Sequence, residues 1–291
     1  MVQSAAWNLC RRLGYDSGAL CLLVDKAYGK LAQSIQARLA DVEVRCFEQW
    51  DSAHLAKIFS APVSSKVLLL AEPAAYLQYK LYRYLDFSGG EPVIPGADSR
   101  VLIFPVESLY RMFGIAPEED LAVRDRIAAE MQSGGKYRIT TALGTDLAFE
   151  ARQWIPLDFE ICTAPVESSV NGRIVVDGAL FFRKLEEPLV FRIHKGKLSG
   201  IEAVSPTGEA LVREYRSMTE RDMQDPLNRQ LAEIGIGFCG GAQISDCFME
   251  AEAAVNTCHF CFGSNLCYGG SNASEFHGAS VLIREPHFER I

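Results

Sequence analysis

The sequence has no surplus of positive charge. Its 291 residues carry 29 lysines and arginines against 37 aspartates and glutamates, a formal net charge of −8. Binding to nucleic acid needs a basic surface that displaces counterions from phosphates, so no nucleic-acid partner is expected. Long apolar runs are missing too. No stretch approaches the roughly 20 residues that span a bilayer, so no membrane partner is expected. The opening MVQSAAWNLCRRLGYDSG has too few and too interrupted apolar residues for a secretory leader. There is no internal repeat and no low-complexity segment. Neither a dinucleotide-binding glycine fingerprint nor a phosphate-binding loop follows any candidate strand.

Cysteine is not scarce, but a pairing pattern is absent. Nine is an odd number, and Cys21 in ALCLLV and Cys162 in EICTAP lie in apolar surroundings. There a reduced thiol acts as a small hydrophobe, and a cytoplasmic compartment is expected. Cys258-His259-Phe260-Cys261 has the spacing of half a zinc knuckle. No second close pair of cysteines completes it, and alternation along a strand would put Cys258 and Cys261 on opposite faces.

What is present is an ordinary globular composition, 48% apolar and 23% charged, long enough for one large domain or two smaller ones. Residues 19–47 read as a strand–helix–strand unit. SKVLLLAE and SRVLIFPV are further buried strands, each followed by a helix. Pro73 opens a helix with Leu77, Leu81 and Leu85 on one face, and Pro117-Glu118-Glu119 opens another that runs to about Met131. Strands alternating with helices predict an α/β domain over residues 1–134, a mostly parallel sheet with helices on both faces. Ser133-Gly134-Gly135 marks the boundary. Residues 135–291 switch to short strands and tight turns, a mainly-β α+β half. Asn171-Gly172 and Asp177-Gly178 stand there as hairpin signals, and helices are expected near 221–231 and 245–254.

The chemistry concentrates between Leu231 and Val281. Glu233, His259 and His277 lie among glycines that allow close backbone approach and sharp turns. Carboxylate and neutral imidazole are the usual ligands of zinc, cobalt or iron. His54, His194 and His287 carry no such context and read as ordinary histidines.

The same stretch resembles the thermophilic-type metallo-aminopeptidases (the aminopeptidase S/T family) and their dihydroxypyridine dioxygenase relatives. Ala232 to Gly237 matches their Ala-Glu-x-Gly-Ile-Gly segment, and Thr257 to Gly263 matches Thr-x-His-x-x-x-Gly. Tyr268-Gly269-Gly270 matches an aromatic-Gly-Gly turn. Gly144-Thr145-Asp146-Leu147 and Glu160-Ile-Cys-Thr-Ala-Pro165 resemble two further motifs, with Phe159 in place of a glycine. The resemblance covers roughly residues 136–285. The family's His-x-Asp reads His277-Gly278-Ala279 here, so an alanine stands where the aspartate is expected.

The resemblance implies a metal site at Glu160, Glu233, His259 and His277, with the aspartate position lost at Ala279. Glu275, two residues before His277, is a candidate substitute on the same strand face. Restoring Ala279→Asp is expected to raise metal affinity. Relatives continue past the last ligand into a further hairpin, whereas this sequence stops at His287–Ile291. Both departures imply a vestigial or weak metal site, with no cofactor as the first expectation and zinc, cobalt or manganese as the alternative. The implied function is a non-catalytic, homodimeric peptide-binding protein, with Glu160, Glu233, Tyr268 and Glu275 lining the groove. It resembles helper proteins of crocagin-type ribosomal-peptide pathways. An active metal-dependent aminopeptidase is the alternative. An iron dioxygenase ranks third, because its triad needs a carboxylate that Ala279 lacks.

Overall fold

The computed structural model describes residues 2–15, 18–46, 66–78, 86–88, 91–131 and 134–291. His54, the apolar face assigned to Leu77, Leu81 and Leu85, and Ser133 lie outside the described residues and side chains. The chain divides into two compact units, Met1–Glu119 and Asp120–Ile291.

The first unit is built on four parallel strands in the order β2-β1-β3-β6: β1 (Leu20–Val24), β2 (Val42–Cys46), β3 (Lys66–Ala71) and β6 (Ser99–Ile103). The two central strands are the continuous apolar runs LCLLV and KVLLLA, as strands covered on both faces must be. Helix Gly29–Gln36 buries Leu31, Ala32 and Ile35 at helical spacing. A helix over Val2–Arg12, which the sequence reading did not place, buries Ala5, Ala6, Leu9 and Cys10. Its Asn8 donates to the carbonyls of Phe113 and Ile115, tying it to the end of helix Val106–Met112. A small hairpin, β4 (Asp86–Ser88) and β5 (Glu91–Val93), forms a separate two-stranded sheet.

The second unit is a pair of antiparallel sheets. One holds six strands in the order β15-β14-β11-β8-β7-β19: β7 (Lys136–Thr140), β8 (Asp146–Glu150), β11 (Asn171–Val176), β14 (Leu189–His194), β15 (Lys197–Ala203) and β19 (His287–Arg290). The other holds seven in the order β13-β12-β18-β17-β16-β10-β9: β9 (Ile155–Pro156), β10 (Glu160–Thr163), β12 (Ala179–Leu180), β13 (Arg183–Lys184), β16 (Leu231–Gly237), β17 (Thr257–Gly263) and β18 (His277–Arg284). One apolar core joins Ile139, Leu147, Ile174, Leu189 and Phe191 of the first sheet to Ile161, Ile234, Ile236, Phe260 and Val281 of the second. The seven-stranded sheet therefore gives one face to the core and leaves the other for chemistry.

Several sequence expectations need correction. The helix expected at 221–231 lies instead at Pro206–Thr219; Ser205 caps it by accepting from Gly208 N–H, and Pro206 occupies its first turn. Residues 222–224 form only a short 3-10 turn, and Leu231 already begins β16. Asn171-Gly172 is not a hairpin turn but the start of β11. A side chain at Gly172, whose φ is 136°, would run into the backbone of Asp146. Asp177-Gly178 joins β11 to β12 and so carries the chain from one sheet to the other. The chain after His287 forms β19, which pairs with β7 along the edge of the six-stranded sheet.

Candidate metal centre

Strand register decides which side chains meet. Cys162 of β10 lies opposite Gly235 of β16, and Gly235 lies opposite His259 of β17. Glu160 lies opposite Gly237, and Glu233 opposite Cys261. Alternation then puts Glu160, Cys162, Glu233, His259 and Cys261 on the face turned away from the core, with two glycines between them. Those glycines are spatial requirements. A Cβ on Gly235 would overlap the imidazole of His259, and one on Gly237 would overlap the carbonyls of Glu252 and Ala254 at the end of helix Phe248–Ala253.

Two bulges complete the arrangement. Between Leu231 and Glu233 the register of β16 slips by one, so Leu231 joins the core while Glu233 faces the site. Between β17 and β18 the partners shift from Phe260↔Val281 to Phe262↔Gly278, which leaves one extra residue on β18. Ala279 sits at that point with φ 52°. Bulges of this kind re-aim side chains next to functional sites. Here the extra residue sends Ala279 into the apolar core and leaves both Ser280 and His277 on the site face.

The result is a buried cluster. His259 Nε2 stands 3.5 Å from Glu160 Oε2 and 3.5 Å from Glu233 Oε1. Glu233 and His259 are 2% and 1% exposed, yet Glu160 Oε2, Glu233 Oε1 and His259 Nδ1 have no hydrogen-bond partner. Ligand atoms held about 2.1 Å from one ion in a tetrahedron lie about 3.4 Å apart. The spacing and the unpartnered oxygens fit a divalent cation. His277 is engaged otherwise. Its Nε2 lies 2.9 Å from Glu233 Oε2 and its Nδ1 lies 2.7 Å from the Ser264 carbonyl.

Electrostatics follow the geometry. Burial pushes the Glu160 carboxyl well above the usual range, opposed by His259. Burial also acts against charge on Glu233, but the neighbouring His259 and the bond to His277 outweigh it and hold the carboxyl well below that range. Both imidazoles are raised: burial lowers them, and the facing glutamates outweigh it.

Of the sequence-nominated residues, the structure brings together Glu160, Glu233, His259 and His277. Tyr268 lies beside them, its ring 6.2 Å from that of His277. Burial first, and then the charge of Glu233, raise its phenol, so it stays protonated. Glu275 does not join. The strand begins only at His277, so alternation does not extend back to Glu275, which is exposed and faces a separate cavity with Arg221, Asp222 and Asn228. Ala279 does not face the cluster either. Two residues were missed, Cys162 and Cys261. Glu160, Cys162, Glu233 and His259 offer donor atoms all within 4.8 Å of one another, and Glu233, Cys261 and His277 do the same. Cys258 lies in the core, so it forms no knuckle with Cys261.

No protein-family profile and no curated relative matches the sequence. The fold is shared with solved structures. The 2,5-dihydroxypyridine dioxygenase from Pseudomonas putida KT2440 superposes with a TM-score of 0.59 at 17% identity, covering 99% of this chain and 92% of its own. Wild-type AmpT from Thermus thermophilus gives 0.62 at 14% identity, covering 100% of this chain and 94% of its own. The fold is aminopeptidase-like. Among the described residues no helix is long and apolar enough to cross a membrane.

Proposed function

We propose that this chain holds one divalent cation at Glu160, Glu233 and His259 and binds the amino-terminal end of a peptide beside it. The observation that carries the reading is the convergence of unpartnered Glu160 Oε2 and Glu233 Oε1 on His259 Nε2, each at 3.5 Å. Buried acceptors left without donors are costly, and a cation removes that cost. A divalent cation there would polarise a peptide carbonyl as a Lewis acid.

The chain's own groups supply the rest. His277 anchors the far oxygen of Glu233, which leaves Oε1 aimed at the site. Glu160, with its side chain 15% exposed, borders the opening and can accept from a peptide ammonium group. The phenol of Tyr268 stays protonated and can donate to a peptide carbonyl. The acidic balance of the chain suits an amino terminus or a basic residue. The sequence resemblance supports a ribosomally made precursor as the natural peptide.

Calorimetry on chelator-treated protein tests both halves. One zinc ion per chain is expected, followed by low-micromolar binding of an extended peptide, about −8 kcal/mol, weakened by acetylating its amino terminus. Absence of zinc binding would overturn the reading. A second reading, hydrolysis of the bound peptide, is favoured by the position of Tyr268 beside His277. Release of product from leucyl or arginyl amides by zinc-loaded protein would establish it.

A further inference from the structure

We propose that Cys162 is a ligand of this cation, so that the centre is Glu160, Cys162, Glu233 and His259 and selects a thiophilic metal of the zinc class. The proposal rests on the metal-binding reading above and deepens it.

Three observations carry it. The donor atoms of these four residues lie within 4.8 Å of one another. The row Cys162–Gly235–His259 crosses three strands, and its middle residue has no side chain. Two strand spacings separate the outer Cα atoms, about 9.5 Å, a gap that a thiol, an imidazole and one ion between them fill. The Cys162 thiol also faces both carboxylates whose outer oxygens, Glu233 Oε1 and Glu160 Oε2, lack a partner, so a cation that satisfies those oxygens lies within its reach.

The other nearby thiols are differently placed. Cys258 is packed in the apolar core, and the Cys261 sulfur shares a 2.9 Å hydrogen bond with Ser280 Oγ. Cys261 also groups with His277, whose two nitrogens are already engaged by Glu233 and Ser264. Cys162 instead faces the carboxylates of Glu233 and Glu160 and stands between them along the sheet face. As the metal–sulfur bond forms, the thiol proton leaves to solvent. Two carboxylates, a thiolate and a neutral imidazole then surround the dication. Thiolate favours zinc and cobalt(II) over manganese and magnesium.

Cobalt(II) titration of the chelator-treated protein is the test. A cobalt–thiolate bond produces a near-ultraviolet charge-transfer band, which is read without any activity. The band is expected in the wild-type chain, retained in Cys261→Ser and lost in Cys162→Ser. Zinc affinity of Cys162→Ser should fall at least as far as removal of an outer-shell partner causes, about 10- to 100-fold. Should Cys162→Ser fail to fold, zinc-edge X-ray absorption of the Cys261→Ser protein decides, with one sulfur expected at about 2.3 Å. Cobalt binding without the band, a zinc shell without sulfur, or loss of the band only in Cys261→Ser would each overturn the assignment while leaving the cation site standing. Absence of any cobalt or zinc binding would overturn the cation site itself.

Discussion

Glu233 and His277 sit on strands that are not neighbours, yet Glu233 Oε2 and His277 Nε2 are 2.9 Å apart. The side chain of His277 crosses β17 where Gly263, directly opposite it, puts no side chain in the way. Both partners of the ring, the Ser264 carbonyl and the Glu233 carboxylate, are acceptors. An imidazole that satisfies two acceptors carries two protons.

His277 of chelator-treated protein should therefore hold its second proton above the pH at which an ordinary imidazole loses it. Its folded pKa is raised, with the bond to Glu233 outweighing burial. The stability that the pair contributes is full below the unfolded value, about 6.5, and is lost as pH rises through the folded value. Nitrogen NMR of the ring checks the protonation state, with His277→Gln assigning the signal. A singly protonated ring at about pH 6.5 would sink the prediction.

Gly235→Ala should disable the centre more than it weakens the fold. The added methyl falls on the His259 ring, which must swing away from the two carboxylates. We expect a loss of roughly 1–3 kcal/mol of stability from overpacking. Zinc affinity should fall more than ten-fold, as about 1.4 kcal/mol of misplacement at a ligand already implies. Thermal unfolding and zinc calorimetry on the same preparation measure the two effects. Unchanged zinc affinity in a folded variant would show that His259 is not a ligand.

Ala279→Asp should not restore anything. The methyl of Ala279 lies in the apolar core, 5% exposed, and not with the carboxylates and imidazoles. A carboxylate there would lie among apolar side chains, and burying one unpaired costs several kcal/mol, on the order of 3 or more. Denaturant unfolding should show the loss, and zinc titration should show no gain. Higher zinc affinity at undiminished stability would contradict the placement.

Glu167 should govern acid stability around the Tyr268 loop. Its Oε1 accepts from Ser271 N–H at 2.7 Å and from Asn265 Nδ2 at 3.0 Å, while Oε2 meets Arg152 Nη2 at 2.7 Å. Burial opposes its charge, but these donors win and hold the carboxyl at about 2. A depressed carboxyl contributes stability above its unfolded pKa, near 4.5, and loses it as pH falls toward 2. With the side chain 23% exposed and partly screened, the contribution is on the order of 2 kcal/mol. Glu167→Gln should lose that amount at neutral pH. It should also flatten the urea-unfolding profile in the acid range. A mutant profile parallel to wild type would refute it.

The parts of this molecule that can be read from residue order are those set by local pattern. LCLLV, KVLLLA and the strand Thr257–Gly263 announce themselves by apolar runs and alternation, and Glu160, Glu233 and His259 come with their motifs. Cys162 was hidden because a cysteine in an apolar strand reads as packing. The available signal was its two-residue spacing from Glu160, which puts both on one face of β10. Ala279 and Glu275 were misjudged because alternation was carried through a point where the strand bulges and past the point where it starts. Asn171-Gly172 shows the limit of dipeptide rules: the same glycine that permits a tight turn also permits the close approach of β8. Ser205-Pro206, a capping residue followed by proline, is the local signal that places this helix at Pro206–Thr219 rather than near 221–231.

The bulge at Ala279 behaves toward the sheet as a shifted reading frame does toward a message. Every residue of β18 after it is read by the core in one phase, and His277 before it in the other. Removing a single residue at 278–280 would restore uniform phase and turn the imidazole inward among apolar side chains, although no ligand had been altered. Length changes in the loop 271–276, upstream of the strand, leave this phase unchanged. Variation among natural versions of this chain should therefore avoid single-residue insertions and deletions in the three residues after His277.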